Sequence, residues 1–170
     1  IMRTLLVKRL ESSFYAFKQS LNRLSKAIDN MLKMIEDNRI FIAPDLDINK
    51  LLEEEWSYDQ IEAKINEKGG NNREFTTDAF DDKFYELLKE DRKKIQDLCQ
   101  RWNEVTTDPK LIEFSEKIKT EFFDEKKNPS AKLVIFSESK ETAEELSGKL
   151  QEIGEHKILT VSADNRQAVE

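Results

Sequence analysis

Apolar residues recur every three or four positions along the first 35 residues of the chain. The stripe consists of Val7, Leu10, Phe14, Phe17, Leu21, Leu24, Ile28, Met31 and Ile35. Neither glycine nor proline interrupts residues 1–43. The pattern therefore predicts one long helix over about 2–37, with its apolar side buried against other helices.

Shorter helices are expected in the middle of the chain, because each has its own capping residues. Asp47 can cap one short helix, and Ser57 with Gln60 forms a capping box that opens the next. Two consecutive glycines, Gly69 and Gly70, end that second helix.

The next two helices are longer and carry matching apolar stripes. One is expected over about 81–105, and another starts where Asp108 precedes Pro109, a capping residue followed by proline in the first helical position. Long helices joined by modest loops predict an antiparallel bundle over residues 1–128.

Residues 129–170 have a different pattern. A run over 132–136, which is continuously apolar after Lys132, is typical of a strand buried on both faces, as in parallel sheets. An amphipathic helix and a second apolar run over 158–161 follow, so we expect a β-α-β unit that begins a RecA-like parallel α/β domain. Because two strands do not make a stable sheet alone, we expect the rest of that domain beyond Glu170 and self-association through the open sheet edge.

The composition supports the helical interpretation and narrows the chemistry. Charged residues make up 37% of the 170 residues, whereas glycine and proline number only four and three. With one cysteine and one histidine, the chain has neither an internal disulfide nor a cysteine-based or two-histidine metal site. No apolar run is long enough to span a membrane, and we expect a cytoplasmic location.

The charge is distributed unevenly. The net charge is −7, yet residues 1–26 contain six lysines and arginines and a single glutamate, a net of +5. At 100° per residue, four of the cations lie opposite the apolar stripe: Lys8, Arg9, Arg23 and Lys26. Cations in such an arc suit contacts to a phosphate backbone, although an ordinary solvated helix face has the same pattern.

A second candidate site lies where the first predicted strand of residues 129–170 meets its helix. Ligands of open α/β sheets collect at the carboxyl ends of strands, and helix N-termini there offer free N–H groups to phosphates. Ser137, Ser139 and Lys140 occupy this turn, and Arg166 lies in the polar turn after the second strand. The alternative is that both turns serve only as helix caps and loops.

The chain lacks the sequence motif that a complete ATP site requires. The phosphate-binding pattern G-x-x-x-x-G-K-[ST] is absent from the sequence. No set of residues suited to acid, base or nucleophilic catalysis is evident either. We therefore expect neither catalytic residues nor a cofactor or metal in this segment.

Two segments carry a resemblance to a known family. The stretch KLVIFSESKETAEEL, residues 132–146, resembles the first strand and helix (motif IV) of the second RecA-like domain of superfamily-two helicases. The stretch LLVKRLESSFYAF, residues 5–17, resembles a helix that precedes this domain in the bacterial SWI/SNF-type members. Residues 40–125 would be a helical insertion between the two RecA-like domains.

The resemblance implies a piece of an ATP-driven DNA helicase or translocase. ATP and Mg²⁺ would bind the parent protein outside residues 1–170, and the partners would be nucleic acid, with DNA expected, and the first RecA-like domain of the same chain. By resemblance, Ser137, Ser139 and Lys140 face nucleic acid, as does Arg166 with weaker support. Lys8 and Arg9 match the helix motif, and geometry alone adds Arg23 and Lys26.

A second class of function stays open at this point. The chain could be a non-enzymatic helical interaction module, in which the long apolar stripe binds a partner helix and the basic face is incidental. Salt-dependent binding to DNA distinguishes the two hypotheses, because only the first requires phosphate contacts.

Overall fold

The computed structural model describes residues 2–154, 157–162 and 165. Over these residues the chain is mainly helical, which confirms the predicted class, and it has a small sheet of two antiparallel strands. The helices are α1 (Met2–Ser12), α2 (Phe14–Glu36), α3 (Ile48–Glu53), α4 (Tyr58–Lys68), α5 (Asp82–Glu104), α6 (Pro109–Lys117) and α7 (Lys140–Ile153). The strands are β1 (Ile40–Ile42) and β2 (Arg73–Phe75), a 3-10 turn covers Thr77–Ala79, and a π-helical turn covers Ile118–Phe122.

The chain divides into two compact units. One consists of residues 21–100, and the other combines residues 1–20 with residues 101–170. The predicted boundary between residues 128 and 129 stays a prediction. No helix in the described part of the chain is both long enough and apolar enough to cross a membrane.

The unit of residues 21–100 has a closed apolar core. The core side chains come from α2, β1, α3 and α4: Met34, Ile40, Phe41, Ile48, Ile61 and Ile65. Ile40 and Ile61 are fully buried, and β1 places Ile40 opposite Phe75 of β2. The two predicted caps are confirmed, since the Asp47 carboxylate accepts the Lys50 N–H and the capping box of Ser57 forms completely.

Strands β1 and β2 are elements that sequence reasoning missed. Each has only three residues, which is too few for the alternation that marks a half-buried strand. Their pairing joins residues far apart in the sequence, so tertiary contacts and not local preference decide that they form.

Helices α2 and α5 run antiparallel in this unit, as the bundle prediction requires. Arg92 Nε of α5 lies 2.6 Å from Asp29 Oδ1 of α2, and the Tyr85 hydroxyl lies 3.4 Å from Glu36 Oε1. Residue numbers therefore increase along α2 in the direction in which they decrease along α5.

The predicted single helix over 2–37 is wrong at one residue, because α1 ends at Ser12 and α2 begins at Phe14. The hydroxyl of Ser13 accepts the Ala16 N–H at 3.0 Å, which is the hydrogen bond of a helix N-cap. Serine offers the backbone this alternative partner, and here it interrupts a helix that the apolar pattern alone would continue.

The segment after residue 128 forms its predicted helix but not its predicted strands. Helix α7 ends at Gly154, which has the left-handed φ of 95° that favours glycine. Within the described residues, neither 132–136 nor 158–161 pairs into a sheet. Val134 and Phe136 are 73% and 92% exposed, so this run is not the buried strand that was expected.

The physical reason lies in what surrounds these residues. A strand of a parallel sheet needs hydrogen-bonding neighbours and a cover on each face. The described residues give 133–136 neither a neighbouring strand nor a cover on each face.

Candidate nucleic-acid interface

The turn that opens α7 is shaped by two serine hydroxyls. Ser139 is the N-cap of α7, and its Oγ accepts the Thr142 N–H at 3.4 Å. The hydroxyl of Ser137 accepts the Ser139 N–H and donates to the Ser139 carbonyl, both at 3.1 Å. Of the predicted site residues here, Ser139 is buried, whereas Ser137 and Lys140 lie exposed on either side of it.

Arg9, in the last turn of α1, binds this turn directly. Its Nη1 donates to Ser139 Oγ at 2.8 Å and to Glu141 Oε2 at 2.9 Å. Ser139 Oγ in turn donates to Glu141 Oε2 at 2.8 Å. The three side chains therefore form one closed hydrogen-bonded cluster, and two predicted site residues from distant parts of the chain are in contact.

A second set of hydroxyls joins α7 to the break between α1 and α2. Ser12 Oγ and Thr142 Oγ1 are 2.8 Å apart, and Thr142 Oγ1 donates to Ser13 Oγ at 3.2 Å. Ser13 and Thr142 are both buried. Since buried hydroxyls need partners, these contacts fix α7 against the α1–α2 junction.

Asp108 serves two helices at once. Its Oδ1 accepts the Lys110 N–H at 2.9 Å as the predicted N-cap of α6, and its Oδ2 accepts the Phe14 N–H at the start of α2 at 2.8 Å. The ring of Trp102 packs edge-on against Phe14 and Phe17, with ring centres 5.1 and 4.8 Å apart. The junction therefore has an apolar side as well as a polar one.

Glu145 of α7 lies near the same junction and is partly withdrawn from water. Burial raises the pKa of Glu145, and the negative charge of Asp108 adds to this. A hydrogen bond with Ser13 and the positive charge of Lys18 act in the opposite direction. Burial is the largest of these effects, so the ionised carboxylate is disfavoured in the folded chain.

Two exposed lysines flank the cluster of Arg9, Ser139 and Glu141. Lys8 is an exposed residue of α1. Lys140 opens α7, and its Nζ lies 3.7 Å from Glu144 Oε1 across an exposed pair. Both lysines are therefore exposed and adjoin the cluster in sequence.

A cavity of about 650 Å³ extends from the turn along α7. Its lining includes Ser137, Lys140, Glu144 and Gly148, together with Asn165 from beyond the end of α7. The lining offers hydroxyl and amide groups for hydrogen bonding, but its carboxylates oppose an anion. Among the described residues, no cluster of acidic, histidine or cysteine side chains is arranged to hold a metal ion.

The remaining predicted site residues lie elsewhere. Arg23 and Lys26 are exposed on α2 in the unit of residues 21–100, and Lys26 Nζ is 3.3 Å from Glu53 Oε1. Because α1 ends at Ser12, these two residues belong to a different helix from Lys8 and Arg9. Arg166 lies outside the described residues, as does His156.

Sequence reasoning missed the roles of Glu141 and Thr142. Glu141 stands in the first turn of α7, and nothing in the sequence pairs it with Arg9. Thr142 carries no sequence signal, because its role depends entirely on the approach of Ser12 and Ser13.

Comparison of the chain with protein-family models, with curated proteins and with solved structures finds no match.

Proposed function

We propose that this chain is the part of an ATP-dependent, SWI/SNF-type DNA helicase or translocase that contacts the nucleic-acid backbone and couples its domains. The supporting observation is the direct contact between the two segments that carry the resemblance. Residues 5–17 and 132–146 meet through Arg9 and Ser139, with 2.8 Å between Nη1 and Oγ. In this proposal ATP and Mg²⁺ bind the parent protein outside residues 1–170, its first RecA-like domain is a partner, and its location is cytoplasmic.

The residues divide into two roles. Lys8 and Lys140 are exposed and provide the phosphate contacts, together with the hydroxyl of Ser137. Arg9 and Ser139 hold α1 against the first turn of α7, so that both lysines are presented from one unit. Phosphate contacts of this kind give affinity without sequence specificity.

The exposed apolar runs fit the same proposal. Residues 132–136 and 158–161 would pair with further strands of a RecA-like domain that lie outside residues 1–170. Helix α7 between the two runs is amphipathic and formed, as a crossover helix requires. Val134 and Phe136 would then be buried between the sheet and its covering helices.

Binding to a short DNA duplex tests the proposal. We expect the chain to bind a fluorescently labelled duplex in an anisotropy titration at low salt, with affinity that falls steeply as salt rises. Lys8→Glu combined with Lys140→Glu should weaken binding by roughly tenfold or more, since each lysine contributes about one phosphate contact.

The matched control is Lys83→Glu combined with Lys93→Glu, which reverses the same number of charges at two exposed lysines of α5. It should reduce affinity only through the net charge, by roughly twofold or less. No binding by the unaltered chain at low salt would contradict the proposal, as would an equal loss of affinity in this double control.

The alternative, a helical interaction module, is favoured by one observation. Met2, Leu5 and Val7 of α1 are exposed apolar residues, and α1 has no buried residue. The rest of the stripe is less available to a partner, since Phe17, Leu21 and Ile28 of α2 are buried within the chain. An absence of DNA binding, with α1-dependent association of the chain, would favour this module.

A further inference from the structure

Two cations of the proposed interface are paired with carboxylates of α7. Arg9 Nη1 lies 2.9 Å from Glu141 Oε2, and Lys140 Nζ lies 3.7 Å from Glu144 Oε1. The side chain of Glu141 is 14% exposed, whereas that of Glu144 is 49% exposed. Exposed ion pairs are weak and screened by salt, but a pair withdrawn from water is harder to separate. Glu141 is therefore the carboxylate that holds its cation more firmly.

The surroundings of the Glu141 carboxylate are those that a phosphate oxygen would need. Its Oε2 accepts from the Arg9 guanidinium and from the Ser139 hydroxyl at 2.9 and 2.8 Å. Guanidinium and hydroxyl donors are also the groups that bind phosphodiester oxygens. Glu141 stands in the first turn of α7, where the helix dipole favours negative charge.

We propose that Glu141 is a built-in competitor of phosphate. Its carboxylate occupies Arg9 and Ser139 and thereby lowers the affinity of this interface for nucleic acid. The inference rests on the proposed function, because it concerns the regulation of the same interface. Nucleic acid gains the Arg9 contact only by displacing the Glu141 carboxylate. Arg9 thus has two states: without nucleic acid it binds Glu141 and holds α1 against α7, and with nucleic acid it adds a phosphate contact to those of Lys8 and Lys140.

Replacement of the carboxylate by an amide tests this competition. Glu141→Gln keeps an oxygen that accepts from Arg9 and Ser139 but removes the charge. We expect it to bind a labelled duplex about tenfold more tightly than the unaltered chain, since one charge close to the phosphate is removed. Glu144→Gln, the same change one turn later in the exposed pair, should gain less than roughly threefold.

The dependence on Arg9 separates competition from a general effect of charge. In an Arg9→Gln background, the gain from Glu141→Gln should fall to that of Glu144→Gln, because no guanidinium remains to be released. Circular dichroism and thermal unfolding establish that each variant is folded before its binding is measured.

The outcomes distinguish the two proposals. If the chain binds duplex and Glu141→Gln gains no more than Glu144→Gln, the competitor is disproved while the proposed function stands. The competitor is also disproved if Glu141→Gln increases the affinity for duplex by the same factor in the Arg9→Gln background as in the unaltered chain. If no variant binds duplex at low salt, the proposed function fails, and the competitor fails with it.

Discussion

Two apolar tripeptides in this chain have nearly the same composition but different surroundings. Ile40–Ile42 reads Ile-Phe-Ile and pairs with Arg73–Phe75, and its first two side chains are buried. Residues 134–136 read Val-Ile-Phe, and all three side chains are exposed. The first run has both a strand partner and helices that cover it. The comparison shows that an apolar run becomes a strand only where the chain supplies its neighbours.

The largest expected effect comes from removing an apolar side chain in each region. Ile61→Ala empties a fully buried position beside β1, and it should lower the free energy of unfolding by about 3 kcal/mol. Val134→Ala changes an exposed side chain and should cost under about 0.5 kcal/mol. Urea denaturation measures both, and similar losses in the two variants would mean that residues 132–136 are buried.

A smaller loss is expected at the caps of the two units. Asp108→Ala removes hydrogen bonds at the starts of both α6 and α2, and it should cost about 2 kcal/mol. Asp47→Ala removes the cap of α3 alone and should cost about 1 kcal/mol. Equal costs in urea denaturation would show that the bond from the Phe14 N–H to Asp108 contributes nothing.

Self-association tests the exposed member of this comparison, residues 132–136. The unpaired run should associate between copies of the chain, because an apolar strand edge is a template for pairing. Val134→Lys combined with Phe136→Lys should weaken this association at least tenfold, about 1.4 kcal/mol. Sedimentation velocity measures the effect.

The control for self-association places the same charges on helices. Leu87→Lys with Ile112→Lys alters two exposed apolar residues of α5 and α6 and should leave association almost unchanged. A sharply monomeric unaltered chain at high concentration would count against a free edge at residues 132–136.

The smallest effect concerns pH and Glu145. Because burial raises the pKa of Glu145, the folded chain binds its proton more tightly than the unfolded chain does. The ionised carboxylate therefore destabilises the fold above the raised pKa, and this penalty disappears as the pH falls below the usual value for glutamate, roughly 4.3.

Glu145→Gln removes that penalty while keeping an acceptor for Ser13. The variant should be more stable than the unaltered chain at pH 7, and the difference should shrink toward pH 4. Thermal unfolding at several pH values measures it, with Glu144→Gln on the exposed side of α7 as the control. If Glu145→Gln is less stable than the unaltered chain at pH 7, burial is not the main influence on the pKa of Glu145.

Local signals in the sequence predicted most helix ends correctly. Asp47, Ser57 and Asp108 cap the helices expected of them, because an N-cap depends on backbone N–H groups only two or three positions away. The break at Ser13 was missed, since the apolar stripe continues through it and the Phe14 N–H finds its partner in Asp108. That partner lies far away in the sequence, where no local rule finds it.

The candidate site was predicted as separate parts. Arg9 and Ser139 were each named from the sequence, but their contact depends on how α1 and α7 pack. The strands were predicted in the wrong place. Residues 132–136 have the stronger local strand pattern, but residues 40–42 have the pairing partner and form the strand. Pairing is a tertiary property in both cases, so composition and periodicity alone do not determine it.

The most direct test of the account is lysine footprinting in the presence and absence of a DNA duplex. The chain is acetylated at low salt under both conditions, and mass spectrometry quantifies the modification of each lysine. The account predicts that DNA protects Lys8 and Lys140 strongly and leaves Lys93 as reactive as before. Equal reactivity of Lys8 and Lys140 with and without bound duplex, or protection centred on Lys93, would contradict it.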